Sequence, residues 1–143
     1  MISEAKFSHY KLHIAKIDKA HWEIVNHVNK ILQNGQVNRC YVCHLQKILQ
    51  ELPYQLEYEE LLMEKLQFPF RFHHKKQHEL LLNDLSKTID FCLDDSTLFN
   101  KWTISSISQR FIAHIDQHDI QLSQFITDKK HERQEKHYCS GNA

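Results

Sequence analysis

Glycine and proline, the residues that turn or break a chain, occur only twice each in 143 residues. A sheet protein of this length needs many tight turns, so the scarcity points to an all-α chain. The few breaks are well separated: Asn34-Gly35, Phe68-Pro69 and the turn-and-cap cluster Asp94-Asp95-Ser96-Thr97. Between them the apolar residues recur at helical spacing. Four helices are predicted, from about Ile17 to Gln33, Asn38 to Leu66, Arg71 to Leu93 and Thr97 to Asp128. The fourth offers Phe99, Trp102, Ile107, Phe111, Ile115, Leu122 and Phe125 to a core.

Short connections make consecutive helices antiparallel neighbours. The expected architecture is an up-down-up-down antiparallel four-helix bundle over residues 1–130, with an N-terminal arm up to about Lys16. A polar tail over residues 131–143 is expected to fray and stay flexible. Pro53 falls inside the second helix, where it costs about 3 kcal/mol. A kink near Leu49–Pro53, or a split into two helices, is expected there.

Eighteen basic residues balance eighteen acidic ones, which argues against a general nucleic-acid or membrane-surface binder. A hydrophobic content of 41% excludes a disordered chain. No apolar run reaches the roughly 18 residues of a membrane span. The first residues lack a secretory pattern, so a cytoplasmic protein with free thiols at Cys40, Cys43, Cys92 and Cys139 is expected.

The 12 histidines call for an explanation. His74 and His78 stand four apart on the third helix, on one face. The first helix carries His21, the second Glu59-Glu60, the fourth His114 and Asp119. Every helix thus offers an imidazole or carboxylate among apolar residues. Such groups survive burial when paired or metal-bound, and bundles build metal sites from facing helices. His13, His27, His73 and His118 are expected at the surface or beside the ligands, and Trp22 and Trp102 in packing.

The order Ile17-Asp18-Lys19-Ala20-His21, Glu59-Glu60-Leu61-Leu62-Met63, Phe68-Pro69, His74 with His78, then His114-Ile115 with Asp119 resembles the bacterial hemerythrins. The resemblance covers about residues 12–126. It implies a non-haem, oxo- or hydroxo-bridged di-iron centre that binds oxygen or a related small ligand. By position it implies that His74, His78 and His114 hold one iron and His21 the other, with Glu59 and Asp119 bridging. It further implies a ligand pocket lined by Ile115 and Phe111.

The chain departs from that pattern at Gln55, four residues before Glu59, where the family has a histidine on the second iron. The amide oxygen can ligate weakly, water can fill the position, or Tyr58 or Glu51 can approach if Pro53 distorts the helix. Leu56 and Arg110 also stand where the family has Phe and Trp. The expected consequence is a firmly held first iron and a weaker, wetter second one that oxidises faster. Two other readings follow from the same residues: a di-iron enzyme reacting with peroxide or nitric oxide, and iron storage or a single-metal structural site.

Cys40-Tyr41-Val42-Cys43-His44 matches the haem-attachment pattern, but it opens a helix in a chain without an export signal, so chance occurrence is the expectation. A ferritin-like carboxylate centre needs E-x-x-H on two helices. No Glu here has a His three residues later.

Overall fold

A computed structural model describes residues 1–33, 41–95 and 100–140. Among these residues every regular element is helical. Helix α1 (Glu4–Phe7) and a 3₁₀ turn (Ser8–Tyr10) form the arm. They precede α2 (Ala15–Leu32), α3 (Tyr41–Leu66), α4 (Arg71–Asp94) and α5 (Lys101–His114). A five-residue π-helical turn (Ile115–Asp119) then leads into α6 (Ile120–Ser140).

Helices α2 and α4 each pack against both α3 and α5, so the four close into a ring around one core. Their buried residues recur every three or four positions: Ile17, His21, Ile24, Val28 and Ile31 on α2; Leu45, Ile48, Leu52, Leu56, Glu59 and Met63 on α3. On α4 the stripe is His74, His78, Leu81, Leu85, Ile89 and Cys92. The polar members lie on the same stripes as the apolar ones and therefore point inward.

The arm is tied to the bundle. Phe7 and Leu12 are buried in the core, and Phe7 packs on Trp22 with ring centroids 5.2 Å apart. The Ile2 amide donates to Asn29 Oδ1 and Asn29 Nδ2 donates back to the Ile2 carbonyl, at 2.9 and 2.6 Å. Asp18 Oδ1 accepts from the Leu12 amide at 2.7 Å, and Ser123 Oγ donates to the Leu12 carbonyl at 2.7 Å.

Helix α3 runs through Pro53 without splitting. The buried Ile48, Leu52 and Leu56 on either side hold the helix together across the missing hydrogen bond. Its end is a Schellman motif made without glycine. Gln67 takes φ 52°, its amide donates to Glu64 at 3.1 Å, and the Phe68 amide reaches back to Met63 at 2.9 Å. Met63 and Phe68 then pack together with Leu122 in a second small core.

Three sequence expectations change. Helix α5 begins at Lys101, capped by Asn100, whose Oδ1 accepts from the Thr103 amide at 2.9 Å. Residues 96–99, expected to open that helix, lie outside the described residues, as do Asn34, Gly35, Asn38, Cys40 and Phe99. Trp102 is 79% exposed, because the inward stripe of α5 runs through Ile104, Ile107, Ser108 and Phe111 instead. The tail does not break from the helix before it: α6 continues to Ser140, with residues 127–138 exposed.

Candidate metal centre

The core stripes converge on one polar cluster. Glu59, His74, His78, His114 and Asp119 are all buried, and each offers a ligand atom within 4.8 Å of every other. His21 joins them from α2, with Nε2 3.3 Å from both Glu59 Oε1 and Asp119 Oδ2. No other group of three or more His, Cys, Asp or Glu side chains this close occurs among the described residues.

Local backbone geometry explains the convergence. His74 and His78 are one helical turn apart, which stacks their rings at 4.6 Å between centroids. Gln55 and Glu59 bear the same relation on α3. His114 and Asp119 are five residues apart, about 140° around a regular α-helix at 3.6 residues per turn. The π-helical turn between them widens the helix to i→i+5 closure and returns Asp119 to the face of His114. His114 Nε2 and Asp119 Oδ1 are then 3.1 Å apart.

The two carboxylates divide their oxygens. Asp119 Oδ1 faces His74 Nε2 at 2.9 Å and His114 Nε2 at 3.1 Å, whereas Oδ2 faces His21. Glu59 Oε2 faces His78 Nε2 at 3.3 Å and His74 Nε2 at 3.9 Å, whereas Oε1 faces His21 and, at 3.4 Å, Gln55 Nε2. One oxygen of each carboxylate therefore belongs to a three-histidine set, and the other to a set made by His21 and Gln55.

Several of these atoms are close without bonding one another. His78 Nε2, His114 Nε2, Glu59 Oε2 and Asp119 Oδ2 are buried and have no hydrogen-bond partner. Gln55 Oε1 is in the same state. Leaving so many buried polar atoms unsatisfied is costly unless something else takes their lone pairs. Imidazole nitrogens and carboxylate oxygens suit iron, zinc or manganese, so this donor set fits a metal.

Electrostatics fit the same reading. Burial alone lowers the pKa of His21, yet the Asp119 and Glu59 contacts outweigh it and push the group from 6.5 up to about 9. Burial also opposes the rise at His78, which Glu59 causes. Burial and the charge of Asp119 raise Glu59, but His21 and His78 hold it below its ordinary range. Burial likewise raises Asp119, yet the histidines hold it well below. Without a metal, His21 and His78 are the groups whose charged form the two carboxylates favour.

The surroundings contain one residue that sequence reasoning left unassigned. Glu60 Oε1 lies 3.1 Å from His78 Nδ1, which donates to it, and Lys75 holds the same carboxylate at 3.3 Å. This bond fixes the tautomer that leaves His78 Nε2 free to ligate. The doublet Glu59-Glu60 was visible in the sequence. What assigns its second member is that a ligating imidazole needs an acceptor on its other nitrogen. His118 lies beside two of the cluster imidazoles, with ring centroids 5.1 Å from His114 and 6.1 Å from His74, and His73 lies 5.8 Å beyond it.

Phe111 and Ile115 are buried, and Phe111 meets the His21 ring edge-on at 5.5 Å. The groove that reaches the Gln55 side of the cluster is elsewhere. It has a volume of about 250 Å³ and runs between α2 and α3, past Lys16, Glu23, Tyr54, Gln55 and Tyr58. Tyr58 lies under Lys16 Nζ at 4.0 Å, and Glu51 pairs with His27. Neither replaces the missing histidine. Leu56 is part of the apolar core, and Arg110 points outward to Asp84 at 3.0 Å and Thr88 at 2.9 Å. Among the cysteines, Cys43 is free and exposed and Cys92 free and buried. Cys40 and the side chain of Cys139 lie outside the described residues.

No helix among the described residues is long and apolar enough to cross a membrane. Comparison with models of known protein families, with curated proteins and with solved structures finds nothing that matches this chain.

Proposed function

We propose that the chain is a hemerythrin-like protein: an up-down-up-down helical bundle that holds two non-haem irons and binds oxygen or a related small ligand. The observation that carries this reading is the division of the Glu59 and Asp119 oxygens between two sets of side chains. A single ion would leave the oxygens that face His21 to accept from its imidazole; two ions would use both oxygens of each carboxylate. The cluster draws on the first half of α2, the second half of α3, the start of α4 and the end of α5, which supports alternating helix directions.

In this reading His74, His78 and His114 hold one iron, and His21 the other, with Gln55 beside it. The pair supplies reversible electron donation to a bound small molecule. The protein's part is to fix the donors and keep water out. Glu60 orients His78, the edge of Phe111 packs against His21, and Ile115 contributes to the dry wall. At Gln55 the groove between α2 and α3 reaches the edge of the cluster. Water reaching Gln55 through that groove would weaken the second iron and speed its oxidation.

That same groove favours a second reading, an enzyme that consumes peroxide or nitric oxide at the open position. Anaerobic loading with ferrous iron, followed by oxygen, separates them. Two irons per chain and an optical band that reverses on removing oxygen support ligand binding. Catalytic loss of added peroxide or nitric oxide, in many turnovers per chain, supports the enzyme. One ion per chain held by all five donors would overturn both.

A further inference from the structure

A second group of metal-seeking side chains lies on the α2–α3 seam, outside the core cluster. His27 of α2 and His44 of α3 meet nitrogen to nitrogen, with Nδ1 atoms 3.0 Å apart and ring centroids 5.3 Å apart. His27 follows His21 by six residues, roughly 9 Å along the helix axis at 1.5 Å per residue, so the pair is separate from the centre. Glu51, two turns after His44 on α3, sets Oε2 3.4 Å from His27 Nε2. That oxygen is buried and has no hydrogen-bond partner.

From these contacts the geometry points to a second transition-metal site, in which His27 Nδ1 and His44 Nδ1 together ligate one divalent, imidazole-seeking ion such as zinc. Two nitrogens bound to a tetrahedral zinc ion at about 2.0–2.1 Å stand about 3.3 Å apart. The observed 3.0 Å, with ring centroids 5.3 Å apart, sets the rings nearly end to end, so each ring would rotate to turn its Nδ1 lone pair onto the ion. A small turn of the Glu51 carboxylate would let it accept from His27 Nε2 and leave the Nδ1 lone pair free, as carboxylates do behind ligating histidines. Burial, together with the charges of His27, Lys30 and Lys47, lowers the pKa of His44 and favours its neutral, ligating form. His27 is 12% exposed and His44 half-buried, so an ion has a way in and water can complete its coordination. The alternative use of the pair is a plain hydrogen bond from one imidazole to the other.

Equilibrium dialysis of the chelator-stripped full chain against zinc tests the site. The wild type should bind one ion more per chain than either His44→Gln or His27→Gln, whatever number the core cluster takes. Circular dichroism checks that the variants keep their helix content. Imidazole nitrogen NMR of the wild type needs no variant: zinc should move the Nδ1 signals of His27 and His44 together. Equal zinc counts in wild type and both variants, or Nδ1 signals that stay in place at saturating zinc, would overturn the proposal. Because the readout is a difference at the seam, failure of the di-iron reading leaves it intact, and its own failure leaves that reading intact.

Discussion

Gln55 occupies the position where one more imidazole would complete the His21 side of the cluster, and its Oε1 is buried without a partner. An imidazole on the same helical turn reaches the same space, so under the di-iron proposal Gln55→His should tighten the second iron and slow oxidation of the loaded protein. Iron dialysis and stopped-flow spectra measure both, and unchanged values would show that the amide already ligates fully. Glu60→Gln weakens the acceptor behind His78, and about a 10–100-fold loss of metal affinity is expected in competition with a chelator. The metal-free protein should also have a distinctive pH dependence. The pKa of His21 rises on folding from 6.5 to about 9, so its contribution is complete below 6.5 and is lost as pH climbs through 9. Glu59 and Asp119 shift downward, so their contribution is complete above their ordinary 4.5 and 3.8 and is lost in acid. The melting temperature of the metal-free chain should therefore be highest between about pH 4.5 and 6.5. His21→Gln should shrink the alkaline fall to the part that His78 contributes and leave an acid fall.

At the scale of elements, the sequence disclosed what depends on local spacing. The stripes of α2, α3 and α4 were readable because apolar residues and ligands share a 3.6-residue period, and His74 with His78 could be set on one face by counting. Two features were not readable, for different reasons. The π-helical turn needs one residue more per turn than the period predicts, and nothing in Ile115-Asp116-Gln117-His118-Asp119 announces it. Only the resemblance linked His114 to Asp119. The continuity of α3 through Pro53 is a tertiary outcome, in which packing at Ile48, Leu52 and Leu56 overrides a local penalty. The end of α3 gives a direct test. Gln67 holds a left-handed conformation at φ 52° that glycine adopts without a Cβ clash. Gln67→Gly should therefore stabilise the fold by about 1 kcal/mol, read from the urea midpoint. Gln67→Val should destabilise it.

Across the whole molecule, the core is divided by chemistry. The polar cluster and an apolar mass built from Ile24, Val28, Leu45, Ile48, Leu85, Ile89 and Ile107 share the same four helices. The helical class was legible from composition because so few residues could turn the chain. The arm's attachment was not, since it depends on long-range bonds such as Leu12 to Asp18 and Ser123, whose residue types are ordinary. Removing residues 1–12 would expose the apolar surface under Phe7 and Leu12 and release Asn29 and Asp18. Thermal melting should show a lower midpoint for that truncation.

The π-helical turn governs more than the centre it serves. A widened turn sets the rotational phase of everything after it, so Leu122 and Phe125 face Met63 and Phe68 only because the backbone was rephased at 115–119. With all five residues wound at ordinary pitch instead, the long final helix would be swung about its axis by about 100°. The placing of Asp119 in the candidate metal cluster and the direction in which the last helix presents its exposed surface are thus fixed by the same extra residue.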